Sequence, residues 1–149
     1  MVKSPIYLGF YGFSNTGKTT LITGLIEKLK RKNYVVASIK QTTHSYSIDS
    51  PETDTWKHAQ AGANLICFNT AVETSFMIKN HLSFEKIKKI ISCIDQFDVV
   101  LVEGSHDLEI QKIRMDHKIP MRTNTVFSFD GDINKVVSFI EKQIEKEGI

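Results

Sequence analysis

The feature that most constrains the fold is a glycine-bounded loop between an apolar run and an amphipathic segment. Residues 6–13 read Ile-Tyr-Leu-Gly-Phe-Tyr-Gly-Phe, which predicts a buried strand that breaks at Gly12. Residues 20–32 carry leucine and isoleucine at helical spacing, with lysine and glutamate opposite them, and predict a helix. Between the two, residues 12–19 match G-x-x-x-x-G-K-[ST] at every fixed position. A strand, a glycine-rich turn and a helix in this order predict a loop that holds a polyphosphate.

The chemistry of such a loop explains its residues. Backbone N–H groups surround the phosphates, and glycine allows the close approach and the left-handed conformations that this requires. The positive end of the following helix points at the same anion. Lys18 is expected to reach the β- and γ-phosphates, and the Thr19 hydroxyl to ligate Mg²⁺. The residues predicted to bind the nucleotide are Gly12, Ser14, Asn15, Thr16, Gly17, Lys18, Thr19 and Thr20.

Further along the chain, short apolar runs alternate with amphipathic segments. Strands are predicted at residues 34–39, 65–69, 74–78, 99–102, 109–115 and 125–129, and helices at 54–61, at 83–96 and from 133 onward. The polar stretch 41–53 is predicted to be a loop. This alternation predicts an α/β protein with the three-layer P-loop NTPase fold and a mostly parallel sheet. At 149 residues, the whole chain is expected to form a single nucleotide-binding domain.

A second acidic element follows the apolar run of residues 99–102. P-loop proteins commonly hold Mg²⁺ through an acid at the end of a neighbouring buried strand, and Glu103 stands at that place. Gly104 would let the chain turn there, and Asp98 is expected to begin or cap the strand. Asp54 is interpreted as the N-cap of its helix. Lys40 ends a predicted buried strand on the side where α/β sheets bind ligands.

Composition places the chain among ordinary globular proteins. Its net charge of +2 gives no basic stripe for nucleic acid and no argument for a membrane surface.

Cys67 and Cys93 lack metal spacing and are expected to be reduced thiols in or near the core. The run 6–13 is too short to span a bilayer, and its removal would delete the strand before the loop. The expected location is the cytoplasm.

These segments together resemble the MobB family, the molybdopterin-guanine dinucleotide biosynthesis adapter proteins. The resemblance covers residues 6 to about 115. Its matching segments are the loop 12–20, then 38–40 leading to His44, 49–51, 54–63 (Asp-Thr-Trp-Lys-His-Ala-Gln-Ala-Gly-Ala), 98–104 and 109–113. The phosphate loop is shared by thousands of proteins. The block 54–63, followed at the right distance by Val-Glu-Gly, is much more specific and carries the resemblance.

What the resemblance implies is an adapter that binds GTP with Mg²⁺, hydrolyses it weakly, and assists the guanylyltransferase that joins GMP to molybdopterin. It also implies a homodimer, and molybdopterin as a further ligand. By residue, it implies catalytic roles for Lys18, Asp54 and Glu103, with Thr19, Glu103 and Asp54 on the metal side. It further implies that Lys40 and His44 line the nucleotide or the pterin.

Two other functions remain open from the residues. A small P-loop kinase acting on a metabolite or nucleotide would need cations around the migrating phosphate, often arginines on a lid. The chain has three arginines, Arg31, Arg114 and Arg122, and no visible lid insertion. An NTPase that depends on nucleic acid ranks last. The Asn-Lys-x-Asp signal for guanine is absent, and Asn124 and Asp130 are candidates for contact with a base.

Overall fold

The computed structural model describes residues 3–107 and 109–148. Its strands are β1 (Ile6–Tyr11), β2 (Val36–Lys40), β3 (Leu65–Asn69), β4 (Thr74–Ile78), β5 (Val99–Glu103), β6 (Gln111–Arg114) and β7 (Thr125–Ser128). Its helices are α1 (Lys18–Arg31), α2 (Asp54–Gln60), α3 (Phe84–Ile94) and α4 (Ile133–Glu147). The chain divides into two compact units. The first runs up to Thr42 and resumes at Lys88, and the second is Thr43–Ile87. The single domain expected from the sequence stays a prediction.

The first unit is built on a parallel sheet of five strands in the order β2-β5-β1-β6-β7. After β1 the chain moves to one side of the sheet, and after β5 it crosses β1 to the other side. Ligands of open α/β sheets bind at the carboxyl ends of the strands where the connections diverge in this way. Because β1 and β5 are neighbours, with Phe10 opposite Glu103, the ends of both strands meet at one edge.

One face of this sheet packs on α1 and α4. Alternate residues of β1 and β5 are fully buried there against apolar residues of both helices, as the helical spacing predicted. The buried cluster comprises Leu8, Phe10, Leu21, Ile22, Leu25, Leu29, Val99, Leu101, Ile113, Val136, Val137, Ile140 and Ile144. On the opposite face, the Lys88 ammonium of α3 lies 5.8 Å from the centre of the Tyr7 ring. Helices therefore lie on both faces, and the predicted three-layer α/β fold is confirmed.

The opposite face also holds a buried cation. Lys112 of β6 is 1% exposed and donates hydrogen bonds of 2.9 Å to the carbonyl oxygens of Ile110 and Thr123. Burial lowers the pKa of this ammonium, which Asp107 partly offsets and Arg122 reinforces. The two hydrogen bonds tie the turns before and after β6 together. Residues 109–110 belong to the first turn, because Asp107 Oδ1 accepts from both of their N–H groups, and β6 therefore starts later than residue 109.

The second unit contains the helix α2 and the antiparallel pair β3–β4, in which Leu65 lies opposite Ile78. The interpretation of Asp54 as the N-cap of α2 is wrong. Thr53 takes that position, since it has extended backbone angles and its hydroxyl accepts from the Trp56 N–H at 3.2 Å. Asp54 is instead the first helical residue, where a carboxylate interacts favourably with the helix dipole.

The expectation for the cysteines is half correct. Cys67 on β3 and Cys93 on α3 are both free thiols, but both are exposed rather than in the core. For Cys67 the reason is that β3 belongs to a two-stranded pair whose outer residues face solvent in the second unit. Among residues 3–107 and 109–148, no helix combines the length and the apolar character needed to cross a membrane.

Candidate functional site

The loop between β1 and α1 has the backbone features of a phosphate cradle. A Cβ atom at Gly12 would lie 2.9 Å from Thr16 Oγ1 and 3.0 Å from Met115 Cβ, so the loop passes too close to its neighbours for a larger residue. Asn15 and Gly17 have φ angles of 62° and 88°. Gly17 caps α1 in this left-handed conformation, and no side chain caps the helix. The first N–H groups of α1 therefore point toward solvent as an anion site.

Lys18 supplies the positive charge of this cradle. Its ammonium folds back over the loop and donates to the carbonyl oxygens of Gly12 at 2.9 Å and Phe13 at 2.7 Å. The Thr16 hydroxyl donates to the same Phe13 oxygen at 2.8 Å. Ser14 and Thr20 are exposed at the rim. The ammonium thus rests on neutral acceptors of the loop itself, which a phosphate oxygen would outcompete because it carries charge.

Thr19 and Glu103 meet across the edge of the sheet. The Thr19 hydroxyl donates to Glu103 Oε1 at 2.8 Å. Mg²⁺ takes oxygen ligands in octahedral geometry at about 2.0–2.1 Å, so neighbouring ligands of the ion lie about 2.9 Å apart. Two hard oxygen donors at this spacing fit two adjacent positions of such a site. Within the described part of the chain, no three His, Cys, Asp or Glu side chains form a metal cluster, so the remaining ligands would be phosphate oxygens and water, as is usual for Mg²⁺.

Gly104 fixes the position of Glu103. Its φ angle is 80°, and a Cβ atom there would lie 2.5 Å from the carbonyl oxygen of Gln41. The same turn is held by hydrogen bonds of 2.9 Å from the Gln41 N–H to Glu103 and from the Gly104 N–H to Phe10. Gln41 and Met115 were not predicted as site residues, although they shape the site through the close approach of a backbone or Cβ atom. The type of the approaching residue does not reveal such a contact. The sequence signal is the glycine that faces it.

Lys40 and Asp98 lie at opposite ends of the same pair of strands. Lys40 is the last residue of β2 and is opposite Glu103, with its ammonium 3.9 Å from Glu103 Oε1. The Asp98 carboxylate accepts the Val35 N–H at 2.7 Å where β2 and β5 begin, so its predicted place at the strand start is confirmed. The structure therefore gathers Lys18, Thr19, Lys40 and Glu103 at one edge of the sheet.

Similarity to known proteins shows the family and the fold of the chain. Residues 7–139 match the family model described as molybdopterin guanine dinucleotide synthesis protein B, or MobB. The chain belongs to the MobB family. The crystal structure of Bacillus subtilis MobB superimposes with a TM-score of 0.72 at 16% identity, over 93% of this chain and 97% of that one. Because the sequence identity is only 16%, the superposition is evidence for the fold alone. It confirms the predicted P-loop NTPase fold.

Curated relatives carry adapter names. A putative molybdopterin-guanine dinucleotide biosynthesis adapter protein of Methanocaldococcus jannaschii is 33% identical over 112 residues, which is 72% of this chain and 46% of the relative. The adapter protein of Haemophilus influenzae is 31% identical over 111 residues, covering 71% and 60%. The chain thus spans about half the length of these relatives.

A uridine kinase of Lactiplantibacillus plantarum is 26% identical over 160 residues, covering 98% of this chain and 71% of the kinase.

Two residues singled out by the family resemblance lie in the second unit. Asp54 is exposed at the start of α2, and His44 is exposed in the segment before it. Near the start of α2, Asp49 Oδ1 accepts from the hydroxyls of Thr53 and Thr55, both at 3.1 Å, while its Oδ2 is buried without a hydrogen-bond partner. The metal-side role of Asp54 and the lining role of His44 stay predictions.

The candidates for contact with a base differ in position. Asn124 precedes β7, at the amino edge of the sheet, and donates to the Glu109 carbonyl oxygen at 3.2 Å. Asp130 follows β7, at the carboxyl edge that the phosphate loop shares. Its carboxylate accepts the Asp132 N–H and the Lys135 ammonium, both at 3.0 Å, and these partners lower the pKa of Asp130 in that order. Of the two, Asp130 lies at the edge where a base would bind.

Arg114 and Arg122 have hydrogen-bond partners of their own, and Arg31 lies away from the phosphate loop. Arg31 lies in the last turn of α1, at the opposite end of the helix from the phosphate loop. Arg114 donates to Ser128 Oγ at 2.8 Å and to the Ile119 carbonyl oxygen at 3.3 Å. Arg122 donates to the Ser105 carbonyl oxygen at 2.8 Å, and its guanidinium lies 4.6 Å from the centre of the Tyr11 ring. Arg114 thus links β6 to β7, and Arg122 links the segment before β7 to the segment after β5.

Proposed function

We propose that the chain binds GTP together with Mg²⁺ and acts as an adapter in the biosynthesis of molybdopterin guanine dinucleotide. The observation that supports this most directly is the 2.8 Å pair of Thr19 and Glu103 beside a helix N-terminus that no side chain caps. Mg²⁺ would neutralise phosphate charge, and Thr19 and Glu103 would hold it. The choice of GTP rests on family membership, and a carboxylate such as Asp130 is a group suited to accept from guanine.

In this proposal the chain mainly holds the nucleotide. Lys18 leaves the loop carbonyls for the β- and γ-phosphates, and the backbone N–H groups of the loop donate to phosphate oxygens. Glu103 orients a water near the terminal phosphate, and the metal-side role that the family resemblance implies for Asp54 stays a prediction. Weak hydrolysis is proposed from the family resemblance. Binding with slow turnover is what suits an adapter.

The proposed partners are a molybdenum cofactor guanylyltransferase, molybdopterin and a second copy of the chain. The second unit supports a homodimer, because β3–β4 is a two-stranded pair, which is marginally stable alone. It exposes large apolar side chains that a second copy would bury. Leu65, Phe76 and Ile78 share one face of the pair and Phe68 lies on the other, with exposed fractions between 38% and 61%. The proposed location is the cytoplasm, with neither nucleic acid nor membrane as a partner.

Association with the guanylyltransferase tests the adapter function. We expect the tagged chain to retain the guanylyltransferase of the same organism on an affinity column when Mg-GTP is present. Retention should fall when nucleotide is left out, because the loop and the ends of β2 and β5 then lack the ligand that orders them. A chain carrying Lys18→Ala is the matched control and should behave as wild type without nucleotide. No association in any of these conditions would contradict the adapter function.

A small P-loop kinase is the second candidate, and the similarity to a uridine kinase over 98% of the chain is the observation that favours it. Kinases of this kind turn over at about 1–100 per second. We expect no phosphate transfer to uridine or other nucleosides at such rates from Mg-ATP or Mg-GTP, because the sequence has three arginines and no visible lid insertion to bring cations around the migrating phosphate. Mass spectrometry of the products is the measurement. Formation of a nucleoside monophosphate at those rates would replace the adapter function with a kinase.

A further inference from the structure

Lys40 and Glu103 form an unequal ion pair at the end of β2. The Lys40 side chain is 62% exposed, whereas that of Glu103 is 15% exposed. Their separation of 3.9 Å between Nζ and Oε1 is longer than a hydrogen bond, so the pair is held by charge alone. The same Oε1 atom accepts the Thr19 hydroxyl at 2.8 Å. The carboxylate is thus fixed by Thr19, while the ammonium on its long stem is free to turn.

The order of the strands decides which part of a nucleotide Lys40 faces. Glu103 on β5 lies between the phosphate loop after β1 and Lys40 after β2. A Mg²⁺ ion held by Thr19 and Glu103 would neutralise the charge of the outer phosphates. Seen from the phosphate loop, Lys40 therefore lies on the far side of Glu103, where the terminal phosphate would be. The terminal phosphate is the group that a triphosphate has and a diphosphate lacks.

Charge explains why the ammonium would move. Among the ion pairs of residues 3–107 and 109–148, the cation that pairs with Glu103 is Lys40. A divalent ion held by Glu103 and Thr19 would repel an ammonium only 3.9 Å from the same carboxylate. The terminal phosphate offers a new anionic partner within reach of the four-carbon side chain. Because the Lys40 side chain is exposed, it loses little packing when it moves, and the exchange costs little free energy.

We propose that Lys40 makes the site selective for triphosphate over diphosphate: its ammonium, which pairs with Glu103 in the structure, contacts the terminal phosphate when Mg²⁺ and triphosphate are bound. The proposal rests on the proposed nucleotide function and adds a specificity determinant to it. It assigns Lys40 to the nucleotide rather than to a pterin, which the family resemblance left open. It also makes the end of β2 respond to the state of the nucleotide.

Calorimetric titration with GDP and with a non-hydrolysable GTP analogue, both with Mg²⁺, tests this at fixed salt. We expect Lys40→Met to weaken triphosphate binding about tenfold, which corresponds to about 1.4 kcal/mol, and to change the affinity for GDP less than about twofold. Lys40→Arg should keep most of the preference. Lys32→Met is the matched control, because Lys32 also pairs with a glutamate, Glu141 at 2.9 Å, but at the far end of α1.

Each result has a defined meaning. An equal loss for both nucleotides in Lys40→Met would show that Lys40 acts only through Glu103 and would overturn the selectivity. Unchanged affinities for both would overturn it as well. If the wild-type chain binds neither nucleotide, the proposed function itself fails and this inference with it. A wild type that binds both nucleotides, with the same ratio of affinities in Lys40→Met, leaves the proposed function standing and removes the inference alone.

Discussion

We expect the Lys18→Ala variant to bind Mg-GTP at least about a hundredfold more weakly than the wild-type chain. In the structure the Lys18 ammonium lies over the phosphate loop and donates to Gly12 and Phe13. In a complex it would instead bond to phosphate oxygens, and hydrogen bonds between charged groups contribute about 1.5–3 kcal/mol each. Losing two such bonds amounts to about 3 kcal/mol or more, which is a factor of about a hundred in affinity.

The same change should leave the fold intact. Lys18 lies at the start of α1, and its side chain contacts the carbonyls of its own loop rather than the core. The far-ultraviolet circular dichroism spectrum and the midpoint of thermal unfolding should therefore match wild type closely. Lys30→Ala is the control, since Lys30 is an exposed lysine in the last turn of the same helix. Equal GTP affinity in Lys18→Ala and Lys30→Ala, measured by calorimetry, would show that the phosphate loop is not the nucleotide site.

The parts of the fold that sequence predicted well are those where local pattern and burial agree. The strand of residues 99–102 and the helices that became α1 and α4 carry continuous or periodic apolar residues, and they form the core. The predicted first residue of a strand was wrong where a turn competed with the apolar pattern. Strand β2 begins at Val36 rather than Tyr34, because the Tyr34 N–H still bonds to Leu29 at the end of α1 and Asn33 has a φ angle of 65°.

The candidate site divides in the same way. The phosphate loop is contiguous in the chain, so its motif could be recognised without knowing the sheet. Glu103 could be predicted from the apolar run before it. The pairing of Lys40 with Glu103 could not, because it depends on β2 and β5 being neighbours, and these strands are about 60 residues apart in the sequence. The exposure of Cys67 was missed for a related reason. A short apolar run does not say whether both of its faces will be covered.

We expect Gly104→Ala to lower the free energy of unfolding by about 3 kcal/mol, the largest loss of stability from a single methyl group at this edge. A left-handed conformation costs alanine about 1–2 kcal/mol relative to glycine. The added Cβ would also lie 2.5 Å from the Gln41 carbonyl oxygen, and a backbone atom gives way less easily than a flexible side chain. Overpacking of this kind costs about 1–3 kcal/mol. The thermal midpoint should fall by about 10 °C in calorimetry.

Gly131→Ala separates the two causes. Gly131 has a φ angle of 98°, but nothing lies within 4 Å of a Cβ atom placed on it. It should therefore lose only the conformational part, about 1–2 kcal/mol. Equal losses in both variants would mean that the approach of Gln41 to Gly104 contributes nothing. A larger loss in Gly104→Ala should be accompanied by weaker binding of Mg-GTP. Relieving the contact moves Gln41 away from Glu103, to which it is hydrogen-bonded at 2.9 Å, and so displaces the carboxylate that faces Thr19.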